Sequence, residues 1–140
     1  MEISFTVLGK PQGKARPRFD SRSGRAYTAK ATSDYEEHVR LSYIQSCGNV
    51  RLSGEIEAHI IAFFPIPKST SKSKLAAINE GKISPTVKPD VDNIIKSVLD
   101  ALNGLAYKDD SAVVRVSAWK KYSESPRVIV RLIGGKENGK

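Results

Sequence analysis

The chain has 140 residues, enough for one domain with one core, and its 39% apolar and 27% charged content is that of a globular protein rather than a disordered one. Its 23 basic and 15 acidic residues leave a formal charge of +8, which favours a polyanionic partner, nucleic acid first. No stretch approaches the roughly 20 apolar residues of a membrane span, the opening MEISFTVLGK lacks the parts of a secretory signal, and a lone Cys47 excludes an internal disulfide. A cytoplasmic location and no membrane partner are expected.

In chain order, residues 2–8 (EISFTVL) alternate Ile3, Phe5 and Val7 with polar neighbours, the period of a half-buried strand. Residues 10–30 carry seven basic side chains against one acid, with Gly and Pro interspersed and no periodicity, which predicts a basic loop. Thr32 or Ser33 can cap a helix running through Tyr35, Val39, Leu41 and Ile44 to Gly48. Residues 55–64 place Ile56, Ala58, Ile60, Ala62 and Phe64 on one face of a second strand, closed by Pro65 and Pro67.

A Ser- and Lys-rich segment, 68–88, has room for at most a short helix around Leu75 to Asn79. A helix from about Asn93 to Asn103 buries Ile94, Ile95, Val98, Leu99 and Leu102, with Gly104 placed for a left-handed cap. Residues 112–122 and 127–133 alternate as two strands joined by SESP, which suggests a hairpin. The expected fold is α+β: a single layer of mostly antiparallel mixed sheet with two helices, in the order β-α-β-α-β-β. It forms one domain over 1–140, with 134–140 expected to fray.

The stretch KPDVDNIIKS sets Asp90 and Asp92 one residue apart before the helix. Asp92 is well placed to cap it, which leaves Asp90 unexplained. If 90–92 are extended, both carboxylates share one side and repel unless a cation lies between them. Lys96 and Asp100 follow on the helix face of Asp92, for which an exposed ion-pair ladder is the plain explanation. Asp109 and Asp110 come just before a strand, where a third acid can approach the first two. Such hard oxygen donors suit magnesium or manganese, and in a basic protein they point to phosphate chemistry. His38 and His59, far apart in sequence, are read as surface or packing residues. The stretch GKPQGKA is one residue short of a phosphate loop and has Ala15 where Ser or Thr is needed.

The run KPDVDNIIKSVLDALNGLAYKDDSAVV, 27 residues long, resembles the RusA family of Holliday-junction resolvases, whose pattern is close to KPDxDNxxKxxxDALNGxxxxDDxxV. GKPQGKARPRF, PIPKS and the lysines of WKKY extend the likeness over most of the chain. The resemblance implies a RusA-like fold and a small, dimeric, magnesium-dependent endonuclease. Such enzymes cut four-way DNA junctions by paired symmetrical nicks in recombination and repair, and members are frequent in phages and prophages. It carries the catalytic and metal-binding acids onto Asp90, Asp92 and Asp110, and a functional lysine onto Lys96. Manganese is able to stand in for magnesium. Many members have Gln where this chain has Ala112.

Lys10, Lys14, Arg16, Arg18, Arg22 and Arg25, with Lys88 and Lys120, would neutralise backbone phosphates without reading bases. A junction with approximate two-fold symmetry matches a two-fold homodimer, for which exposed apolar residues on the first helix or near Trp119 are candidate surfaces. The alternatives are a non-catalytic binder of branched DNA, or a metal nuclease acting on other branched substrates.

Overall fold

The computed structural model describes residues 1–14, 18–20, 25–27 and 30–137. Strand β1 (Glu2–Leu8) leads through a small antiparallel pair, β2 (Arg18–Asp20) and β3 (Arg25–Tyr27), into helix α1 (Lys30–Cys47). Strand β4 (Leu52–Pro65), helix α2 (Lys72–Asn79) and helix α3 (Val91–Ala101) follow. A one-turn 3-10 helix, Asp110–Ala112, then opens β5 (Val113–Ser123), and β6 (Arg127–Lys136) ends the fold.

The main sheet has the order β1-β6-β4-β5. β6 pairs antiparallel with both β1 and β4, while β5 runs parallel to β4, so the mixed and mostly antiparallel α+β sheet expected from the sequence is present. β4 shows why one face becomes core. Ile56, Ala58, Ile60, Ala62 and Phe64 are buried, and every residue between them is partly exposed. On this face sit Val7, Val128, Val130 and Leu132, covered by Tyr35, Val39 and Tyr43 of α1 and by Ile94, Val98 and Leu99 of α3. Fully burying one such aliphatic side chain stabilises by about 1.5–3 kcal/mol. Both helices are therefore held on the same side of the sheet. No helix among the described residues is long and apolar enough to cross a membrane.

Four local expectations change. β5 and β6 do not form a hairpin: β4 lies between them, with Ile61 opposite Trp119 on one side and Ile129 on the other. SESP lacks the Gly or Asn that a tight two-residue turn requires, and its length lets the chain step over the end of β4 at Pro65. The third helix, α2, starts at Ser71, whose hydroxyl accepts from the Lys74 amide, and so begins earlier than Leu75. In α1 the buried row is Tyr35, Val39 and Tyr43, while Leu41 and Ile44 are exposed. A fraying tail is replaced up to Lys136 by β6, because Gly134 and Gly135 bring the strand against β4. A Cβ on Gly135 would lie 3.1 Å from the Ser53 carbonyl oxygen, and the Glu137 amide still donates to Arg51 O. Residues 138–140 lie outside the described residues.

On the second face of the sheet, the end of α2 at Ile78 and Asn79 borders a cavity with Phe63 and Trp119, and the rest of the face carries a further opening. Ile61, Trp119 and Ile129 line a cavity of about 450 Å³ there, rimmed by His59, Ser117 and Arg131. Trp119 is thus a surface residue, 58% exposed, with the Lys121 ammonium 4.2 Å from its ring centre.

Candidate active site

The amino-terminal end of α3 is assembled from three segments. The chain after β1 lies along the helix: the Lys14 amide donates to Asn93 O at 3.3 Å, and Ser97 Oγ donates to Gln12 O at 2.9 Å. Gly13 makes this approach possible, since a Cβ there would sit 2.9 Å from both Pro89 and Asn93 Cβ. The Lys88–Pro89 peptide is cis. From β5, Lys120 Nζ reaches across to donate to Val87 O at 2.6 Å, its ammonium 4.9 Å from the Phe64 ring centre. Between these segments lies a cleft of about 570 Å³ bordered by Lys10, Gly13, Lys14, Lys88, Asp90 and Asn93.

Asp90, not Asp92, is the N-cap residue of α3, and its side chain makes no capping hydrogen bond. Asp92 sits in the first helical turn, so extended backbone stops at Asp90. Neither carboxylate has a hydrogen bond or ion pair among the described residues, and both are exposed. They stand at the positive end of the helix dipole, which tolerates negative charge without discharging it. Lys96 is exposed one turn on and forms no ion pair with Asp92 or Asp100, so the expected ladder is absent.

The other end of α3 gathers a second acidic group. Asp100 accepts from Lys14 Nζ at 2.8 Å, and the same ammonium donates to Glu36 of α1 at 3.1 Å. All three side chains are about three-quarters buried or more (24%, 24% and 15% exposed). The hydrogen bond to Asp100 first, then the pairing with Glu36, raises the Lys14 pKa despite burial. Asp100 also meets Asp110. Partial burial, then the hydrogen bond and charge of Asp100, hold the Asp110 carboxyl above the usual range. The Asp110 amide is tied at 2.7 Å to Asn103 Oδ1 just past the helix end. The Ser111 hydroxyl, and then the Ser111 amide at 3.1 Å, donate to Asp109 and lower its pKa.

The acids expected to converge therefore stand as two groups. At 1.5 Å rise per residue, Asp100 is about 12 Å along the helix from Asp92, and Asp110 stays with Asp100 because Asn103 holds its backbone there. Among the described residues no three His, Cys, Asp or Glu side chains are gathered closely enough to hold one ion. Asp90 and Asp92 still fit magnesium in chemistry. That ion is commonly held by one or two carboxylates together with substrate phosphates, and Asp90, partnerless in the cleft with Lys10 and Lys88, offers that arrangement, with Asp92 two residues on in the first helical turn.

Of the basic residues, Lys10 and Lys88 are exposed at the cleft, whereas Lys14 and Lys120 spend their ammonium groups on protein acceptors. Arg18 and Arg25 lie on β2 and β3, and Arg16 and Arg22 lie outside the described residues. Asn103 and Glu36 escaped the sequence reading. The Asn-Gly pair after the helix was a usable turn signal, while nothing local marks Glu36.

A model of the RusA endodeoxyribonuclease family matches residues 9–133, which include the strap, α3 and the Asp110 turn. The chain belongs to the RusA endodeoxyribonuclease family. A relative in Bacillus subtilis (strain 168), the uncharacterized protein YqaN, is 42% identical over 134 residues, 93% of this chain and 94% of its own length. Membership makes the chain a nuclease acting on DNA, and RusA nucleases are generally metal-dependent.

Proposed function

We propose that this RusA member is a magnesium-dependent resolvase of four-way DNA junctions, with manganese able to replace magnesium, acting in recombination and repair as a homodimer in the cytoplasm. The observation that carries the reading is the partnerless Asp90 carboxylate in the cleft with the exposed Lys10 and Lys88, followed by the equally partnerless Asp92 in the first turn of α3. Asp90 and Asp92 would hold the cation and Lys96 would orient the scissile phosphate from the exposed face of α3, while Asp110, which stands with Asp100 at the other end of the helix, is the third acid that the family resemblance implies. The cation supplies Lewis-acid activation of water and neutralises charge that builds on the phosphate.

Lys10 and Lys88 fix the neighbouring phosphates, so the backbone crosses the cleft with the scissile group near Asp90. Arg16, Arg18, Arg22 and Arg25 are read from their charge as further phosphate contacts. A two-fold pair of such sites produces two matched nicks. Exposed Leu41 and Ile44 on α1, and Trp119 on the open sheet face, are the apolar surfaces available to a second copy.

The test is a substrate panel of four-way junction, splayed arm, flap, linear duplex and RNA, each with and without magnesium. Cutting should be strongest on the junction, need the cation, and vanish in Asp90→Asn while junction binding is retained. Equal cutting by Asp90→Asn would remove the site assignment, and a preference for flaps or RNA would replace the substrate.

A further inference from the structure

The sequence places Lys14 in a run of cations that reads as a phosphate-binding arm, yet its ammonium is enclosed by two carboxylates from different helices. Glu36 belongs to α1 and Asp100 to α3, so one side chain joins the strap, both helices of the layer and the acid that meets Asp110. The backbone on either side is pinned to α3 through Asn93 O and the Ser97 hydroxyl. A lysine so committed would have to give up two ion pairs to reach a phosphate, unlike Lys88, which has no ion pair among the described residues.

We infer that Lys14 is a positioning residue: with Glu36 and Asp100 it sets the place of the Asp110 carboxylate, and it does not contact the DNA backbone. This rests on the proposed nuclease reading for its consequence in catalysis, though not for its geometry. Two carboxylates in contact repel when both are charged, and a fixed ammonium on one of them relieves that repulsion. Removing the ammonium leaves Glu36 and Asp100 facing one another's charge, so Asp100 and the attached Asp110 turn must shift. The Asn103 bond to the Asp110 amide makes this turn a sensitive reporter.

The experiment compares Lys14→Gln, Lys14→Arg, Glu36→Gln and Lys88→Gln. In nitrogen–proton correlation spectra without divalent cation, the Asp110 and Ser111 amides should move in Lys14→Gln and Glu36→Gln. They should return in Lys14→Arg and stay in place in Lys88→Gln. In junction binding without divalent cation, the slope of log K against log salt should be unchanged by Lys14→Gln and reduced by about 0.9 by Lys88→Gln. Single-turnover cutting by Lys14→Gln should fall about ten-fold and recover in Lys14→Arg. Unmoved Asp110 amides, or a slope reduced by about 0.9 in Lys14→Gln, would overturn the inference. If the wild type shows no salt-dependent junction binding the nuclease reading fails, while the amide shifts still decide the role of Lys14. Should Lys14→Gln not fold, Glu36→Gln supplies the same readout.

Discussion

Gly13→Ala isolates the contact on which the cleft depends. The added methyl would lie 2.9 Å from Pro89 Cβ and from Asn93 Cβ, and neither atom is the free end of a flexible chain. One side must therefore move by roughly half an ångström, and the strap is the lighter partner. Forcing one methyl into a packed contact costs about 1–3 kcal/mol. At about 4 °C per kcal/mol for a domain of this size, the melting temperature should fall by about 4–12 °C. Displacing the strap also lengthens the 3.3 Å bond from the Lys14 amide to Asn93 O and carries Lys10 away from Asp90. Thermal unfolding and junction titration on the same preparation check both effects. A melting temperature within about 1 °C of wild type, with unchanged binding, would refute the claim that Gly13 sets the strap on α3.

Asn103→Ala removes the acceptor of the Asp110 amide and should cost about 1 kcal/mol in urea unfolding. Asn103→Asp keeps an acceptor oxygen but sets another carboxylate beside Asp110 and its Asp100 neighbour, so it should not recover that loss. Ile94→Ala empties a position 1% exposed between α3 and the sheet and should cost about 2–5 kcal/mol by the same measurement. Glu57 is held below its ordinary value of 4.5 chiefly by its hydrogen bond with His59. A carboxylate lowered on folding stabilises above its unfolded pKa and loses that effect as pH falls through the folded value. The melting-temperature gap between wild type and Glu57→Gln should thus be full at pH 6 and close on acidification below 4.5, and a pH-independent gap would count against the His59 pairing.

Elements whose burial is set locally were readable. The alternation of β4 and the apolar stripe of α3 each give one face to the core, and both segments form as expected. Pairing was less legible, because periodicity states which side chains point inward and not which strand lies alongside. β5 and β6 are close in sequence but separated by β4, and only their long-range registers with Ile61 reveal it. The same limit explains α1, where Tyr35, Val39 and Tyr43 compete with Leu41 and Ile44 for the inner face and the bulky Tyr43 packs edge-on to Phe5. At the site, spacing located every acid on or beside α3 but gave no account of Lys14, whose partners lie 22 and 86 residues away.

The two acidic ends of α3 handle like charge in opposite ways. At the carboxyl end, Asp100 and Asp110 are brought into contact, and the fold compensates with an ammonium that is itself fixed by a third acid. At the amino end, Asp90 and Asp92 receive no such partner, although Lys10 and Lys88 border the cleft that Asp90 lines. All four side chains are exposed, and an ion pair between such groups is worth only about 0–1 kcal/mol, so nothing ties these ammonium groups to the acids. Under the proposed function, the cationic groups would meet an incoming phosphate and the anionic groups a hard cation, as metal-assisted cleavage of a phosphodiester requires.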